Sequence, residues 1–193
     1  MLRQGNRDSL VVYSRKFNWF LSMQECFVED MVDEISRFRP KQNQKIYVRL
    51  HASGDFYSEE YLEKWMKIAL VTKLMGKDYT FVAYTKSYEI LDCVLSDQTR
   101  LNGLYKEAYQ MAGKTFVKKE TLTLEDFNLH LIASYMDDTK AVDKQIAKKW
   151  ELPVYFVTSI QGQQMTDCVA QTCAECMKCY TFPMQDVTTI LRK

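Results

Sequence analysis

Four short apolar segments that alternate with helical patterns limit what this chain can fold into. They cover residues 46–51, 79–85, 127–134 and 154–158. Their β-branched, aromatic and aliphatic residues, bounded by turn residues, are typical of strands. Because strands that alternate with helices form parallel sheets with right-handed crossovers, the pattern predicts an α/β fold. We expect a mainly parallel sheet with crossover helices, either open or curved like part of a barrel.

Helix starts are marked by short polar residues. Ser22 and Glu25 have the spacing of a capping box, and the apolar periodicity after them predicts a helix over residues 23–38. Ser58 precedes two glutamates, a combination that favours a helix N-terminus. Ser87 predicts the start of a third helix after the second strand.

The length of 193 residues is that of one domain with a sizeable core, and 47% of the residues are hydrophobic. We expect residues 1–160 to form an α/β core domain. Residues 161–193 are expected to form a cysteine-rich segment that packs on this core. Residues 97–124 interrupt the alternation and contain several lysines, so they are predicted to be an insertion.

The charge distribution excludes several classes of protein. A formal net charge of +1 gives no overall attraction to nucleic acid or to anionic membranes. The apolar runs are short and interrupted by charges, which argues against a membrane span. Residues 1–13 contain charged side chains and no apolar signal core. These features predict a soluble protein of the cytoplasm.

Small, polar or titratable residues follow the strand patterns at their carboxyl ends. In parallel α/β proteins, ligands bind beyond the carboxyl ends of the strands. We therefore expect these residues to lie at one edge of the sheet and to line a pocket. The candidates for catalysis or binding there are, in chain order, His51, Ser53, Asp55, Lys86 and Ser134.

Each candidate is also consistent with a structural role that involves no ligand. His51 has the position of a hydrogen-bonded histidine at a strand end, and Asp55 that of a residue capping a turn. Lys86 has the position of an ordinary residue before a helix that starts at Ser87. Only the position that these residues share favours a common pocket.

Four of the six cysteines form the strongest chemical signal in the chain. Their spacing is Cys-x4-Cys-x2-Cys-x2-Cys, over Cys168, Cys173, Cys176 and Cys179. In a reducing cytoplasm such a cluster indicates metal binding rather than disulfides. Three cysteines in series at two-residue gaps are closer to an iron–sulfur loop than to the separated pairs of a zinc site. We expect an iron–sulfur cluster, with zinc, or thiols that bind nothing, as alternatives.

Three further residues of reactive types are predicted to be structural. Cys26 and Cys93 stand alone on helical patterns, and isolated reduced cysteines behave as small hydrophobic residues. Both are therefore predicted to be buried. His130 alternates with apolar residues within a strand pattern and is predicted to have no part in chemistry.

Several motifs resemble those of the Gene product 88 family of phages and plasmids. The most specific are His-x-Ser-Gly-Asp-Phe at residues 51–56 and Tyr-Thr-Lys at residues 84–86. The similarity extends over residues 14–180 and includes Ser-Arg-Lys-Phe-Asn at 14–18, Phe-Val-Glu-Asp-Met at 27–31, Tyr-x3-Trp at 61–65 and the cysteine cluster. The resemblance implies a phage or plasmid origin and the cytoplasm of an infected bacterium. It implies no activity.

The chain departs from the family pattern near its N-terminal end. Family members carry further cysteines before the first helix, whereas residues 1–13 contain none. The resemblance therefore implies a shortened relative, or one that has lost a metal site. The Cys-x3-Cys-x2-Cys loop of radical enzymes that cleave S-adenosylmethionine is also absent.

Two functions are consistent with these observations. The first is a phage accessory protein with a cysteine-ligated metal centre and a polar pocket, whose activity, enzymatic or not, is unassigned. The second is a non-enzymatic protein that binds and inhibits a host protein or ribonucleoprotein, such as a CRISPR defence complex, with a structural metal. Its candidate surface comprises Tyr105, Tyr109 and the lysines of residues 114–119. An exposed aromatic or charged surface there would favour the second function.

Overall fold

The computed structural model describes most of the α/β core. The described residues are 13–14, 16–39, 46–51, 54–158 and 187–190. Ser53 and the four clustered cysteines, Cys168 to Cys179, lie outside them. The predictions that concern those residues and the packing of residues 161–193 therefore remain predictions.

Five parallel strands form one sheet, in which each strand is hydrogen-bonded to the next in chain order. They are β1 (Ile46–Arg49), β2 (Tyr79–Thr85), β3 (Leu129–Met136), β4 (Val154–Thr158) and β5 (Val187–Ile190). The α/β class and the parallel arrangement of the first four strands are confirmed, whereas β5 was not predicted. Because the strands are parallel, all their carboxyl ends lie at one edge of the sheet.

Six helices accompany the sheet in the described part of the chain. They are α1 (residues 16–22), α2 (Phe27–Arg37), α3 (Glu59–Leu74), α4 (Tyr88–Ser96), α5 (Gln98–Met111) and α6 (Ala141–Lys149). Helix α3 connects β1 to β2, helices α4 and α5 connect β2 to β3, and helix α6 connects β3 to β4. None of the described helices is long and apolar enough to cross a membrane.

Helix α3 is the centre of the hydrophobic core. It contacts α2, α4 and α5, and it also lies against β2 and β3. Its side chains Leu62, Met66 and Ile68 are at most 1% exposed, as are Phe81 of β2 and Leu129 of β3. Because burying one side chain of this size contributes about 1.5–3 kcal/mol, the contact between α3 and the sheet is a main source of stability.

The face of the sheet that points away from this core carries aromatic and charged side chains. Successive strand residues alternate between the two faces, and Phe81 and Ala83 belong to the core, so Tyr84 lies on the other face. The guanidinium of Arg49 lies 4.9 Å from the centroid of the Tyr84 ring. The rings of Tyr84 and Tyr155 meet edge to face at 5.2 Å. The two faces of the sheet therefore differ in chemistry.

Two serines predicted to start helices have different roles. Ser58 is the N-cap of α3, and its Oγ accepts a hydrogen bond from Tyr61 N at 3.1 Å, as predicted. The capping box at Ser22 is wrong, because α2 begins five residues later without a side-chain cap. Ser22 instead ends α1, and its Oγ donates to Trp19 O at 2.7 Å. The hydroxyl of Ser22 therefore forms a hydrogen bond within α1, a helix that the sequence pattern had not indicated, and does not cap α2.

The prediction that Cys26 and Cys93 are buried is wrong, because both are exposed. Cys26 lies in the turn before α2, and Cys93 lies on α4 outside its buried stripe. A hydrogen bond to Asp30 raises the pKa of the Cys26 thiol, and one to Glu59 raises the pKa of the Cys93 thiol. Neither residue is therefore favoured as a thiolate.

Residues 97–124, predicted to be an insertion, are not uniform in structure. Their first half is α5, which packs on α3 and buries Leu101, Leu104 and Tyr105 in the common core. Residues 113–121 have no regular structure and are almost all exposed, and the lysines lie there. The buried residues of α5 stand at the spacing of an amphipathic helix, over Leu101, Leu104, Tyr105 and Ala108, so the sequence pattern was consistent with its burial.

Replacing Leu101 with alanine should lower the free energy of unfolding by about 2–5 kcal/mol, because it leaves a cavity in the core. Val117, which is 69% exposed, is the matched control, and Val117→Ala should change stability by about 0.5 kcal/mol or less. Urea unfolding of both variants measures the difference. A loss below about 1 kcal/mol for Leu101→Ala would mean that α5 packs loosely as part of a peripheral insertion.

Candidate ligand pocket at the carboxyl ends of the strands

The carboxylate of Asp55 joins the loop after β1 to the end of β2. Its Oδ1 accepts hydrogen bonds from Thr85 Oγ1 at 2.8 Å and from Phe56 N at 2.8 Å. Its Oδ2 accepts a hydrogen bond from Lys86 N at 2.5 Å. Hydrogen bonds to an ionised acceptor are roughly twice as strong as neutral ones. Asp55 therefore holds two neighbouring loops in a fixed relation.

A second set of hydrogen bonds joins the same loops. Ser87 Oγ donates to Phe56 O at 2.7 Å, and Ser87 N donates to Thr85 Oγ1 at 3.0 Å. Gly54, just before Asp55, has a φ of 101°, in a region that glycine adopts without strain. This glycine allows the loop after β1 to turn back toward β2.

An open pocket of about 220 Å³ lies beyond the ends of β2 and β3. It contains two lysines, two aspartates, three hydroxyl-bearing side chains and one methionine. The lining residues are Lys86, Tyr88, Ser134, Met136, Asp138, Thr139, Lys140 and Asp143. The pocket is therefore polar and carries charges of both signs.

The two lysines of the pocket are not neutralised by ion pairs. Lys86 Nζ lies 2.8 Å from the sulfur of Met136, a weak acceptor. Within the described residues, neither Lys86 nor Lys140 has a carboxylate within 4.0 Å of its ammonium group, although six other lysines and arginines do. Both ammonium groups are therefore available to an anion.

Two helix N-termini also lie at the pocket. Helix α4 begins at Tyr88 and helix α6 begins at Ala141, directly after Lys140. The N-cap side chains of Ser87 and Lys140 make no hydrogen bond to the first turn, although each first turn contains one acidic residue, Glu89 in α4 and Asp143 in α6. Amides at a helix N-terminus and the helix dipole both favour negative charge. They reinforce the effect of the two lysines.

Tyr88 forms part of the pocket floor. Its hydroxyl donates a hydrogen bond to Ser134 O at 3.0 Å. Burial raises the pKa of Tyr88, and the nearby acidic groups Asp143 and Asp55 raise it further. Tyr88 is therefore a neutral hydrogen-bonding group at any physiological pH.

His51 lies in an aromatic cluster and does not line the pocket. Its ring packs edge to face on Phe56, with centroids 4.7 Å apart, and its Nε2 lies 3.2 Å from Tyr61 OH. Nδ1 is buried and has no hydrogen-bond partner among the residues that the structure describes. His51 has a φ of 56°, which is uncommon for a residue other than glycine. Burial lowers the pKa of this imidazole, although the charge of Asp55 acts in the opposite direction.

The predicted site residues thus divide into three groups. Lys86 and Ser134 line one pocket, Asp55 lies behind it as a clamp between loops, and His51 belongs to the aromatic cluster. Ser53 lies outside the described residues. All the described candidates are at the carboxyl edge of the sheet.

Five polar or charged lining residues were not among the predicted candidates. Four of them follow β3, in the connection to α6 or in its first turn: Asp138, Thr139, Lys140 and Asp143. The fifth, Tyr88, begins α4. The sequence could have indicated these residues, because the first turn of the helix after each strand lies at the same edge of the sheet as the loop.

Within residues 13–158, apart from the gaps named above, no group of three or more His, Cys, Asp or Glu side chains is arranged to hold a metal ion. The pocket itself contains two aspartates and two lysines. Lysine ammonium groups repel cations, so this donor set fits an anion better than a metal.

Lowering the pH should destabilise the protein through His51. Its pKa in the folded protein lies below the ordinary value of 6.5, so the unfolded chain takes up a proton at a higher pH than the folded chain. The contribution of His51 to the free energy of unfolding should therefore be complete above pH 6.5 and should be lost as the pH drops toward the folded-state pKa. Denaturant unfolding between about pH 5 and pH 8 measures this slope.

The chain has only one other histidine, His130, which provides a matched control. His51→Gln should reduce the pH dependence of stability over this range, whereas His130→Gln should preserve the contribution of His51. An unchanged slope in His51→Gln would show that this imidazole titrates normally in the folded protein.

Comparison with known proteins identifies a family. A family model described as Gene product 88 matches residues 2–181. The curated proteins and the solved structures gave no match. The matched range includes β1 to β4, the pocket and the four clustered cysteines. This agrees with the resemblance of the motifs at residues 51–56 and 84–86. Because the match covers nearly the whole chain, the protein belongs to the Gene product 88 family.

Proposed function

We propose that this protein is a phage or mobile-element accessory protein that binds a small anionic ligand in the pocket beyond β2 and β3. The observation that carries the proposal is the pair of lysines, Lys86 and Lys140, which line the pocket without a carboxylate partner among the described residues. The two ammonium groups lie next to two helix N-termini, which also favour negative charge, while Asp138 and Asp143 oppose them.

The acidic residues of the pocket narrow the class of ligand. Asp138 and Asp143 would repel a bare anion, but their oxygens accept hydrogen bonds from hydroxyl or amino groups. Ser134 and Thr139 add hydroxyl groups that donate and accept. A ligand that combines an anionic group with several hydroxyls matches both halves of the pocket. Sugar phosphates and nucleotides have this combination.

The site supports binding more directly than acid–base catalysis. The carboxylate of Asp55 is engaged by three donors, and the imidazole of His51 lies outside the pocket lining. Neither group is placed to move a proton on a ligand that Lys86 and Lys140 hold. We therefore propose ligand binding and leave the reaction, if there is one, unassigned.

We further propose that Cys168, Cys173, Cys176 and Cys179 bind one metal centre, an iron–sulfur cluster rather than zinc. They belong to the chain segment that connects β4 to β5. Four thiols within twelve residues form a donor set suited to iron or zinc. Such a centre would hold the connection together and thereby support the pairing of β5 with β4.

The surface suggested for the competing proposal, inhibition of a host complex such as a CRISPR defence system, is charged rather than aromatic. Tyr105 is only 5% exposed, and its hydroxyl lies 3.1 Å from that of Tyr109. Lys119 forms an ion pair with Asp126. These residues therefore do not form an exposed aromatic patch, whereas the exposed lysines Lys114 and Lys118 leave a charged surface available to a host partner.

Ligand binding can be tested with inorganic phosphate, ribose 5-phosphate and ribose. Calorimetry or nuclear magnetic resonance titration should give ribose 5-phosphate the highest affinity and ribose the lowest. Lys86→Ala and Lys140→Ala should each weaken binding of both phosphates about tenfold, since a hydrogen bond to a charged group contributes about 1.5 kcal/mol or more. Lys118→Ala, outside the pocket, should have no effect.

The substitution Asp143→Asn tests the hydroxyl-binding part of the pocket separately from the part that binds the anionic group. It should reduce the preference for ribose 5-phosphate over phosphate, because the amide is a weaker acceptor for ribose hydroxyls. If no phosphate compound binds, or if Lys118→Ala weakens binding as much as Lys86→Ala does, the anion proposal is wrong.

The metal proposal is tested by protein purified without oxygen. It should be brown, with broad absorbance near about 400 nm, and Cys176→Ser should lose metal because a thiolate ligand is removed. Cys93→Ser is the control and should retain it. Metal analysis and absorbance measure both. Colourless protein with one zinc per chain would contradict the iron assignment, and metal-free protein with four reactive thiols would remove the site.

A further inference from the structure

Helix α1 exposes its apolar side chains to solvent. Ser22 is the buried residue among the described residues of α1, with 3% of its surface exposed. Its Oγ lies 2.8 Å from Tyr57 OH. In contrast, Phe17, Trp19 and Phe20 are each 51–55% exposed. A surface helix normally shows the opposite arrangement.

Helical geometry explains why the apolar residues lie together. At 3.6 residues per turn, Phe17, Phe20 and Leu21 lie within one sector. Trp19 and Met23 extend it along one side, which also carries Lys16. Asn18 and Ser22 lie on the opposite side. We call this exposed sector the α1 apolar face. It comprises Phe17, Trp19, Phe20 and Leu21 of α1 together with the flanking residues Tyr13 and Met23.

The turn after α1 is anchored to the core. Lys64 of α3 is 8% exposed, and its Nζ donates to Ser22 O at 3.0 Å and to Gln24 O at 3.3 Å. The same ammonium group pairs with Glu60 at 3.0 Å. The helix is therefore attached to the core at its C-terminal end and presents its apolar face in a defined direction.

We propose that the α1 apolar face binds the same face of a second copy of this chain. Its six residues are between 40% and 70% exposed, which amounts to roughly 600 Å² for side chains of this size. Two such faces together give about 1,200 Å², the lower limit for a stable specific interface. An exposed face of this size is at the upper end of what soluble monomers present.

The charges around the α1 apolar face are self-complementary. Lys16 lies near the N-terminal end of α1, whereas Glu25 and Glu29 follow its C-terminal end, and all three are exposed. In a two-fold dimer with antiparallel α1 helices, Lys16 of each copy faces Glu25 of the other. The acidic residues disfavour nucleic acid, and a second copy matches both ends at once. This inference uses no residue of the ligand pocket and does not depend on the proposed ligand.

The mass of the full-length protein in solution tests the proposal. Analytical ultracentrifugation over a range of concentrations should show a monomer–dimer equilibrium. Phe17→Glu and Phe20→Glu should each raise the dimer dissociation constant at least tenfold, because a charge is buried without a partner. Val117→Glu, at another exposed apolar residue, should leave it unchanged. Circular dichroism verifies that each variant is folded.

A charge exchange tests the antiparallel arrangement. Lys16→Glu should weaken the dimer, and adding Glu25→Lys to it should restore association, since the pair is re-formed with reversed signs. The proposal is overturned if the protein is monomeric at all concentrations, or if the dimer persists in Phe17→Glu and Phe20→Glu. Recovery of a different protein bound through α1, with no self-association, would also overturn it.

Discussion

The carboxylate of Asp55 is the interaction on which the candidate site depends. It accepts hydrogen bonds from its own loop and from Thr85 and Lys86 at the end of β2. By holding the backbone of Lys86, Asp55 determines where that side chain starts and hence where its ammonium group can reach. Asp55 therefore positions a ligand-binding residue without lining the pocket itself.

The sequence indicated the sheet well because its strands are short apolar runs between turn residues. The bounds of β2 and β4 match the prediction, since Gly76 and Pro153 lie just before them. The shared edge also followed from the sequence, because parallel strands place their carboxyl ends together. Periodicity alone could not assign side chains to the pocket. Asp55 and Lys86 belong to equally polar motifs, but their different roles depend on contacts across 31 residues of chain.

The errors in the prediction arise where tertiary contacts outweigh local pattern. The third strand was placed at residues 127–134, yet β3 begins two residues later. Asn128 adopts a φ of 59°, and its Nδ2 donates to Tyr79 O at 2.9 Å. Phe127 is fully buried although it precedes the strand. Because it is apolar, the sequence pattern placed it in the strand. Hydrophobic periodicity cannot indicate that Asn128, inside an apolar run, adopts a left-handed backbone conformation.

A chain of contacts connects the two surfaces for which we propose binding partners. Tyr57 shares a hydrogen bond with Ser22 of α1, and its ring stacks on Tyr61 at 4.5 Å. Tyr61 in turn contacts His51 at the end of β1, four residues before Asp55. The same aromatic cluster therefore orients α1 and supports the loop that carries Asp55. An exposed apolar helix and a polar pocket, which seem unrelated in the sequence, thus share one structural support.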